Sequence, residues 1–168
     1  MASSGFSWTR RSQNPTPVGE PPDLVLVDTI GELPGAYPLA SIVFVGGSIP
    51  KHGGHNILEP AAVGCPIVTG ANTQNFASIV NAFLEAEAII QLPPLDMWDG
   101  EDDLAFVLRD LLNDPQRRAT LKRNAKELVA ENLGATERTM KLLAPFLNSG
   151  DSTKPAGLII ATESAHSA

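Results

Sequence analysis

Residues 42–60 read IVFVGGSIPKHGGHNILEP and contain the most informative pattern of the chain. The four apolar residues 42–45 are typical of a short strand that is buried on both faces. Two glycine pairs follow, and residues 56–63 then have the composition of a helix. A strand, a glycine-rich loop and a helix in this order predict part of a parallel sheet, with the loop at the carboxyl end of its strand, where α/β sheets bind ligands.

The loop has residues that suit a nucleotide or another phosphorylated ligand. Glycines let a ligand approach the main chain closely, and the unpaired N–H groups at a helix start favour a phosphate. Asn56 is a good residue for the start of a helix, and Glu59 in the first turn would accept hydrogen bonds from two ribose hydroxyls. Lys51 and His52 would neutralise a phosphate. The predicted phosphate loop comprises Gly46, Gly47, Gly53, Gly54 and His55.

A purely structural interpretation of the same residues stays open. Glycine pairs often only mark tight turns, and a glutamate in a first turn is commonly a partner of the helix dipole. Cys65 is expected to be a core residue, because nothing in the sequence marks it as reactive. No carboxylate or thiolate set accompanies the histidines of the loop, so we predict no metal site.

The alternation of strands and helices continues on both sides of the loop. We predict buried strands at 24–27, 66–69 and 88–91, and helices at 31–40 and 75–86. Beyond residue 94 the pattern is helical, with Gly134 ending the helix that follows Asp114-Pro115. The expected fold class is α/β, a partial Rossmann-like parallel sheet with flanking helices. The expected parts are a flexible lead-in (1–22), an incomplete Rossmann-like domain (23–147) and a flexible tail (148–168).

Composition excludes several functional classes. The 168 residues carry a formal net charge of −7, which argues against a nucleic-acid-binding protein. A single cysteine excludes a disulfide framework. There is no run of 18 apolar residues and no signal-peptide pattern near the N-terminus, so we predict neither a transmembrane helix nor secretion. The default expectation is a cytoplasmic location.

Several motifs together resemble the 3-deoxy-D-manno-octulosonic acid (Kdo) transferase family. They are Asp28-Thr29-Ile30-Gly31-Glu32-Leu33, Tyr37, Phe44-Val45-Gly46-Gly47-Ser48, Gly53-Gly54-His55-Asn56-Ile57-Leu58-Glu59-Pro60-Ala61-Ala62 and Asn75-Phe76. Their order and spacing fit as well as the individual motifs, and the likeness covers residues 10–147. The family has the two-domain GT-B glycosyltransferase fold, and this chain resembles its C-terminal half.

The resemblance implies a function and a set of contacts. The family transfers Kdo from CMP-Kdo to a lipid A precursor in lipopolysaccharide biosynthesis, with inversion and without a metal or other cofactor. The full-length family is attached to the cytoplasmic face of the inner membrane. Ser48 is a further candidate contact to CMP, as a hydrogen-bond donor to the phosphate. The positions that match the family's CMP contacts are Ile30, Gly31, Glu32, Asn56, Ile57, Leu58 and Glu59.

The chain also departs from the family pattern. The acceptor domain, its catalytic acidic residue and a Pro-Arg contact to CMP have no counterpart here, so we predict no catalytic residue in this chain and little transfer by it alone. Pro50-Lys51-His52 stands where the family usually has an arginine before the second glycine pair, and Pro34 and Pro38 are unusual. Three alternatives stay open: a truncated non-catalytic fragment, a nucleotide-binding module that pairs with a separate N-terminal acceptor-domain chain, and another GT-B enzyme such as a UDP-sugar transferase or epimerase.

Overall fold

The computed structural model describes residues 5–13, 20–94 and 101–148. Apart from residue 148, the predicted tail lies outside these ranges, as do residues 1–4 and 14–19 of the predicted lead-in. Contacts divide the chain into two units, residues 1–132 and 133–168. The strands of the described ranges are β1 Trp8–Arg10, β2 Leu24–Leu26, β3 Val43–Val45, β4 Ile67–Thr69 and β5 Ile89–Gln91. The α-helices of the same ranges are α1 Leu33–Ala36, α2 Leu58–Val63, α3 Ala77–Glu85, α4 Glu101–Asn113 and α5 Pro115–Asn148, with 3-10 turns at Tyr37–Leu39 and Gln74–Phe76.

Three parallel strands form the sheet that carries the glycine-rich loop. Their order is β3-β4-β5, and Val45, Thr69 and Gln91 lie side by side at the carboxyl ends. The loops that follow β3 and β4 therefore leave the same edge of the sheet. The predicted strands at 42–45, 66–69 and 88–91 and the predicted α/β class are confirmed.

Helices cover both faces of this sheet. Alternate residues of a strand point to opposite faces, so Val45 and Ile67 face one layer while Phe44 and Val68 face the other. The first layer is completed by Ile57, Ala61 of α2, Val80 and Phe83 of α3 and Ala125 of α5. The second is completed by Leu111 of α4, Leu121 of α5 and Leu92. Burial on both faces explains the uninterrupted apolar runs of these strands.

A second, two-stranded parallel sheet pairs β1 with β2. Two serine–aspartate clasps hold its ends. The Ser7 N–H and hydroxyl each donate to Asp23 Oδ2 at 2.8 Å, and the Ser12 hydroxyl donates to Asp28 Oδ2 at 2.7 Å. The sequence predicted no strand at Trp8–Arg10, because a three-residue strand in a polar stretch depends on a partner distant in the sequence.

The strand predicted at residues 24–27 is present, but the expectation that it is buried is wrong. Leu24, Val25, Leu26 and Val27 are between 39% and 52% exposed. Trp8 of β1 is 51% exposed as well. A continuous apolar run predicts that both faces of a strand are covered, but the described residues of this chain do not cover them.

The prediction that Gly134 ends a helix is also wrong. Helix α5 continues through Gly134 to Asn148, with Pro145 inside it. One glycine costs a helix only about 1 kcal/mol relative to alanine, which good helix formers on either side can offset. In the second unit, Met140, Leu142 and Phe146 of this helix are exposed.

Candidate functional site

The glycine loop, defined here as residues 46–57, leaves β3 and enters α2. It closes on itself, because the Gly54 N–H donates to the carbonyl of Gly47 at 3.0 Å. Gly47, Gly53 and Gly54 have φ values of 67°, 89° and 76°. These left-handed conformations favour glycine, so the glycine pairs determine the path of the main chain.

A second loop, residues 70–76, is hydrogen-bonded to residues 48–53 of the glycine loop. Asn72 donates from its main-chain N–H to the Ser48 carbonyl at 2.8 Å and from its side-chain amide to the Ile49 carbonyl at 2.7 Å. Asn75 donates from its main-chain N–H to the Gly53 carbonyl at 3.1 Å and from its side-chain amide to the His52 carbonyl at 3.2 Å. With the bond from the Gly70 N–H to the Ser48 hydroxyl, five hydrogen bonds join the loops that follow β3 and β4.

The Ser48 hydroxyl has a structural role, in contrast to its predicted role as a hydrogen-bond donor to a phosphate. The residue is completely buried. Its hydroxyl donates to the Val45 carbonyl at 2.6 Å and accepts from the Gly70 N–H at 2.8 Å. The single hydroxyl proton is therefore already used inside the protein.

The end of the glycine loop offers unpaired main-chain donors. Among the described residues, none accepts a hydrogen bond from the main-chain N–H of His55, Asn56 or Ile57. The Asn56 side chain accepts from the Leu58 N–H at 2.9 Å, but Asn56 lies one residue before the N-cap of α2, which is Ile57. Ile57 is completely buried, main chain included, so the accessible unpaired N–H groups are those of the exposed residues His55 and Asn56.

Glu59 occupies the first turn of α2 and is exposed. Within the described ranges, its carboxylate has neither a hydrogen-bond donor nor an ion-pair partner. The carboxylate affects the pKa of Tyr37. Burial raises the pKa of that phenol, and the negative charge of Glu59 raises it further. Tyr37 also accepts a hydrogen bond at its carbonyl from the Cys65 thiol at 3.0 Å, which joins the turn to the segment after α2. Cys65 is buried, as predicted.

The other predicted contact stretch, residues 30–32, lies between β2 and α1. Ile30 is fully exposed, and Gly31 has a φ of 88°. Glu32 forms an ion pair with Arg11, with 2.7 Å between Oε2 and Nε. Gly31, Glu32 and Arg11 line an open pocket of about 450 Å³ together with Val27, Gly35, Ala36 and Leu39.

The positively charged and titratable groups of the glycine loop lie on its surface. Lys51, His52 and His55 are all exposed. The His55 ring packs against Gly47, where an added Cβ would lie 2.9 Å from Cδ2 and Nε2. In the part of the chain that is described, no group of three His, Cys, Asp or Glu side chains has the arrangement of a metal site.

Leu58 faces an apolar pocket. It is 38% exposed and lines a cavity of about 290 Å³ with residues of α3 and α5. Its neighbours there include Ile79, Phe83, Leu128 and Val129. Of the stretch 56–59, Asn56 and Glu59 therefore offer exposed polar side chains and Leu58 an exposed apolar one, whereas Ile57 is buried.

Comparisons with known proteins agree on one family. The chain is 39% identical over 142 residues to the 3-deoxy-D-manno-octulosonic acid transferase of Haemophilus influenzae, covering 84% of this chain and 32% of that protein. It is 33% identical over 147 residues to the same transferase of Bordetella pertussis, covering 88% and 33%. A solved structure, the C-terminal CMP-Kdo binding domain of WaaA from Acinetobacter baumannii, matches with a TM-score of 0.65 at 28% identity, covering 74% of this chain and 62% of that one. The chain resembles the C-terminal part of a Kdo transferase.

The likeness to Kdo transferases has a defined extent. The chain spans about a third of the length of the curated relatives it matches, 32% and 33% for the two above. A probable mitochondrial Kdo transferase of Arabidopsis thaliana is 32% identical over 129 residues, covering 76% of this chain and 28% of that protein. No protein-family model matches the chain. These findings confirm the resemblance and do not favour a UDP-sugar enzyme, an epimerase or a non-catalytic module.

Three residues that form the site were given no role by sequence reasoning. Asn72 and Asn75 hold the glycine loop, and Arg11 pairs with Glu32. Each of these side chains contacts a partner 21 or 23 residues away in the sequence, which no local pattern reveals. The only available signal was that Asn75 belongs to a motif of the Kdo transferase resemblance.

Proposed function

We propose that this chain binds CMP-Kdo and supplies the donor half of an enzyme that transfers Kdo to a lipid A precursor in lipopolysaccharide biosynthesis. One observation carries the proposal: the fold matches a CMP-Kdo binding domain with a TM-score of 0.65 at 28% identity. The curated relatives, at 39% and 33% identity, support the same substrate.

The glycine loop gives this proposal a physical basis. The unpaired N–H groups of His55 and Asn56 would donate to the phosphate of CMP, and the exposed carboxylate of Glu59 would accept from the ribose hydroxyls. Ile30, Gly31 and Glu32 would form a second contact stretch. Ser48 has no direct contact in this proposal, because its hydroxyl is buried and paired.

The chain's part in the reaction is to bind the donor and to stabilise the leaving group. A hydroxyl of the acceptor would attack the anomeric carbon of Kdo, and the bond from that carbon to the phosphate oxygen of CMP would break. The negative charge that develops on the phosphate would be stabilised by the loop amides and by Lys51, His52 and His55. A general base outside this chain would take the proton of the acceptor, so we expect little transfer by the isolated chain.

The acceptor half would come from a separate N-terminal acceptor-domain chain or from a longer form of this one. The relatives' greater length supports such a partner, and so does the exposed apolar surface of β1 and β2, formed by Trp8, Leu24, Val25 and Leu26. With a lipid acceptor, the complete enzyme would act at the cytoplasmic face of the inner membrane, as the family resemblance implies. Among the described residues, no helix has the length and apolar character needed to cross a bilayer.

Calorimetric titration tests the proposal. CMP should bind the unmodified chain more tightly than UMP, and Glu59→Ala should weaken CMP binding by about 1.5–3 kcal/mol, the range for a hydrogen bond to a charged group. Glu85→Ala, which removes an exposed carboxylate at the end of α3, is the matched control and should leave binding unchanged. Equal binding of CMP and UMP, or no binding of either, would contradict the proposal.

We also propose that the donor binds without a metal ion or other cofactor, as the family resemblance implies. The loop amides and the exposed cations of the glycine loop would neutralise the phosphate directly. The dissociation constant for CMP should therefore be the same in EDTA as in millimolar Mg²⁺. Binding that requires Mg²⁺ would show that a cation contributes to the site.

A further inference from the structure

Asn75, which lies outside the glycine loop, supports it through hydrogen bonds that were not predicted from the sequence. Asn75 lies in the 3-10 turn Gln74–Phe76 that precedes α3. Its main-chain N–H donates to the Gly53 carbonyl at 3.1 Å, and its side-chain amide donates to the His52 carbonyl at 3.2 Å. Two successive carbonyls of the loop are therefore held by one residue.

Gly53 and Asn75 are sterically matched. A Cβ added to Gly53 would lie 2.2 Å from Nδ2 and 2.4 Å from Cγ of Asn75. The absence of a side chain at Gly53 therefore creates the space in which the Asn75 amide reaches the main chain. Gly53 is also left-handed, with a φ of 89°, so the hydrogen bonds hold a conformation that favours glycine over residues with a side chain.

We propose that Asn75 is a positioning residue for the phosphate of the donor nucleotide. This inference rests on the proposed function and names a residue that acts through the loop and not on the ligand itself. By holding the carbonyls of His52 and Gly53, Asn75 orders the part of the loop that leads to the unpaired N–H groups of His55 and Asn56. An ordered set of donors binds an anion more tightly than a mobile set, because the entropy of ordering is not lost on binding.

The role predicts a selective effect. Removal of the side-chain hydrogen bond in Asn75→Ala should weaken CMP binding by about fivefold, the equivalent of one ordinary hydrogen bond. Binding of cytidine, which lacks the phosphate, should change by less than about twofold. A residue that only stabilises the fold would affect both ligands alike.

The experiment compares Asn75→Ala with Asn124→Ala by calorimetry, with CMP and with cytidine as ligands. Asn124 is a matched control, because its amide also holds two loop carbonyls, Ala86 and Glu87, at 3.0 and 3.1 Å, but outside the glycine loop. Asn75→Leu, which fills a similar volume without a donor, is the second variant if Asn75→Ala does not fold.

The outcomes separate the two proposals. Selective loss of CMP affinity in the Asn75 variants, with Asn124→Ala unchanged, supports the positioning role. If the unmodified chain binds CMP and the Asn75 variants bind it equally well, or lose CMP and cytidine in parallel, the role of Asn75 is refuted while the proposed function stands. If the unmodified chain does not bind CMP, the proposed function fails and this inference fails with it.

Discussion

The Nε atom of Arg11 and the Oε2 atom of Glu32 lie 2.7 Å apart and form an ion pair between the end of β1 and the start of α1. This contact joins the smaller sheet to one of the two predicted nucleotide-contact stretches. Both side chains are more than a third exposed, at 36% and 41%, so the pair adds little to overall stability. Its value is that it sets the ionisation and position of Glu32.

The first prediction concerns the ionisation of Glu32. The Arg11 side chain lowers the pKa of this carboxyl, against a smaller opposing effect of desolvation. In Arg11→Gln the pKa of Glu32 should move up toward its ordinary value, which an NMR titration of side-chain carbons would measure. Asp23, whose pKa is lowered by Ser7, is an internal control and should not move. An unchanged pKa of Glu32 would mean that the ion pair does not form in solution.

The second prediction is a dependence of the β1–β2 sheet on pH. Hydrogen bonds from Ser7 and Ser12 lower the pKa values of Asp23 and Asp28 below 3.8. Groups with lowered pKa values stabilise the folded state fully above the unfolded value, and this contribution is lost as the pH falls through the lower folded values. Pairing of β1 with β2 should therefore weaken below pH 3.8, while the β3–β4 pair persists.

Hydrogen exchange measured at a series of pH values would test this pH dependence. The Leu24 N–H, which donates to the Ser7 carbonyl at 3.0 Å, reports on the first pair, and the Val43 N–H, which donates to the Pro66 carbonyl at 2.8 Å, reports on the second. In a Ser7→Ala, Ser12→Ala double variant, the acid-dependent difference should disappear. Loss of protection at both reporters at the same pH would argue against the clasps.

The third prediction compares two glycines. Gly53→Ala places a methyl group in a left-handed position and within 2.2 Å of the Asn75 amide. It should destabilise the fold by about 1–3 kcal/mol, the usual cost of such backbone strain. Gly35→Ala in α1, where an added Cβ meets nothing within 4 Å, should be neutral or stabilising. Urea unfolding would measure both, and equal free energies of unfolding would refute the strained path of the loop.

The fourth prediction uses the one tyrosine of the chain as a sensor of Glu59. Burial and, secondarily, the charge of Glu59 raise the pKa of Tyr37. Glu59→Gln should therefore lower that pKa while leaving it above the ordinary value, because burial remains. Ultraviolet titration of phenolate absorbance would measure the change. Glu85→Gln is the control and should leave the pKa of Tyr37 unchanged. An unchanged pKa of Tyr37 in Glu59→Gln would show that the two residues are not close in solution.

The central sheet and its helices could be predicted from the sequence because their signals are local. The runs at 42–45, 66–69 and 88–91 are apolar without interruption, and buried parallel strands require that composition. Helix α3 could be predicted because Phe76, Ile79, Val80 and Phe83 recur at the spacing of one helix face. Strand β1 was missed because its three residues, Trp8–Arg10, depend on a nonlocal partner.

Only the part of the site that has a local sequence signal could be predicted. The glycine pairs are visible in the sequence, and the left-handed conformations of Gly47, Gly53 and Gly54 follow from them. The partners of the loop are not visible, because asparagine side chains can hold carbonyls almost anywhere in a fold. Ser48 was misassigned because a hydroxyl beside a glycine loop looks the same in sequence whether it faces a ligand or, as here, Val45 and Gly70.

The glycine loop separates the residues that determine its course from those that determine its charge. Main-chain conformation is fixed by glycines and by carbonyls held from outside, and His52 contributes its carbonyl to this support, not its imidazole. The exposed side chains of Pro50, Lys51 and His52 are consequently free to vary. Replacements there would change the electrostatic potential of the glycine loop while its main-chain geometry stayed constant. Natural variants could in this way adjust the affinity for an anionic ligand without refolding the loop.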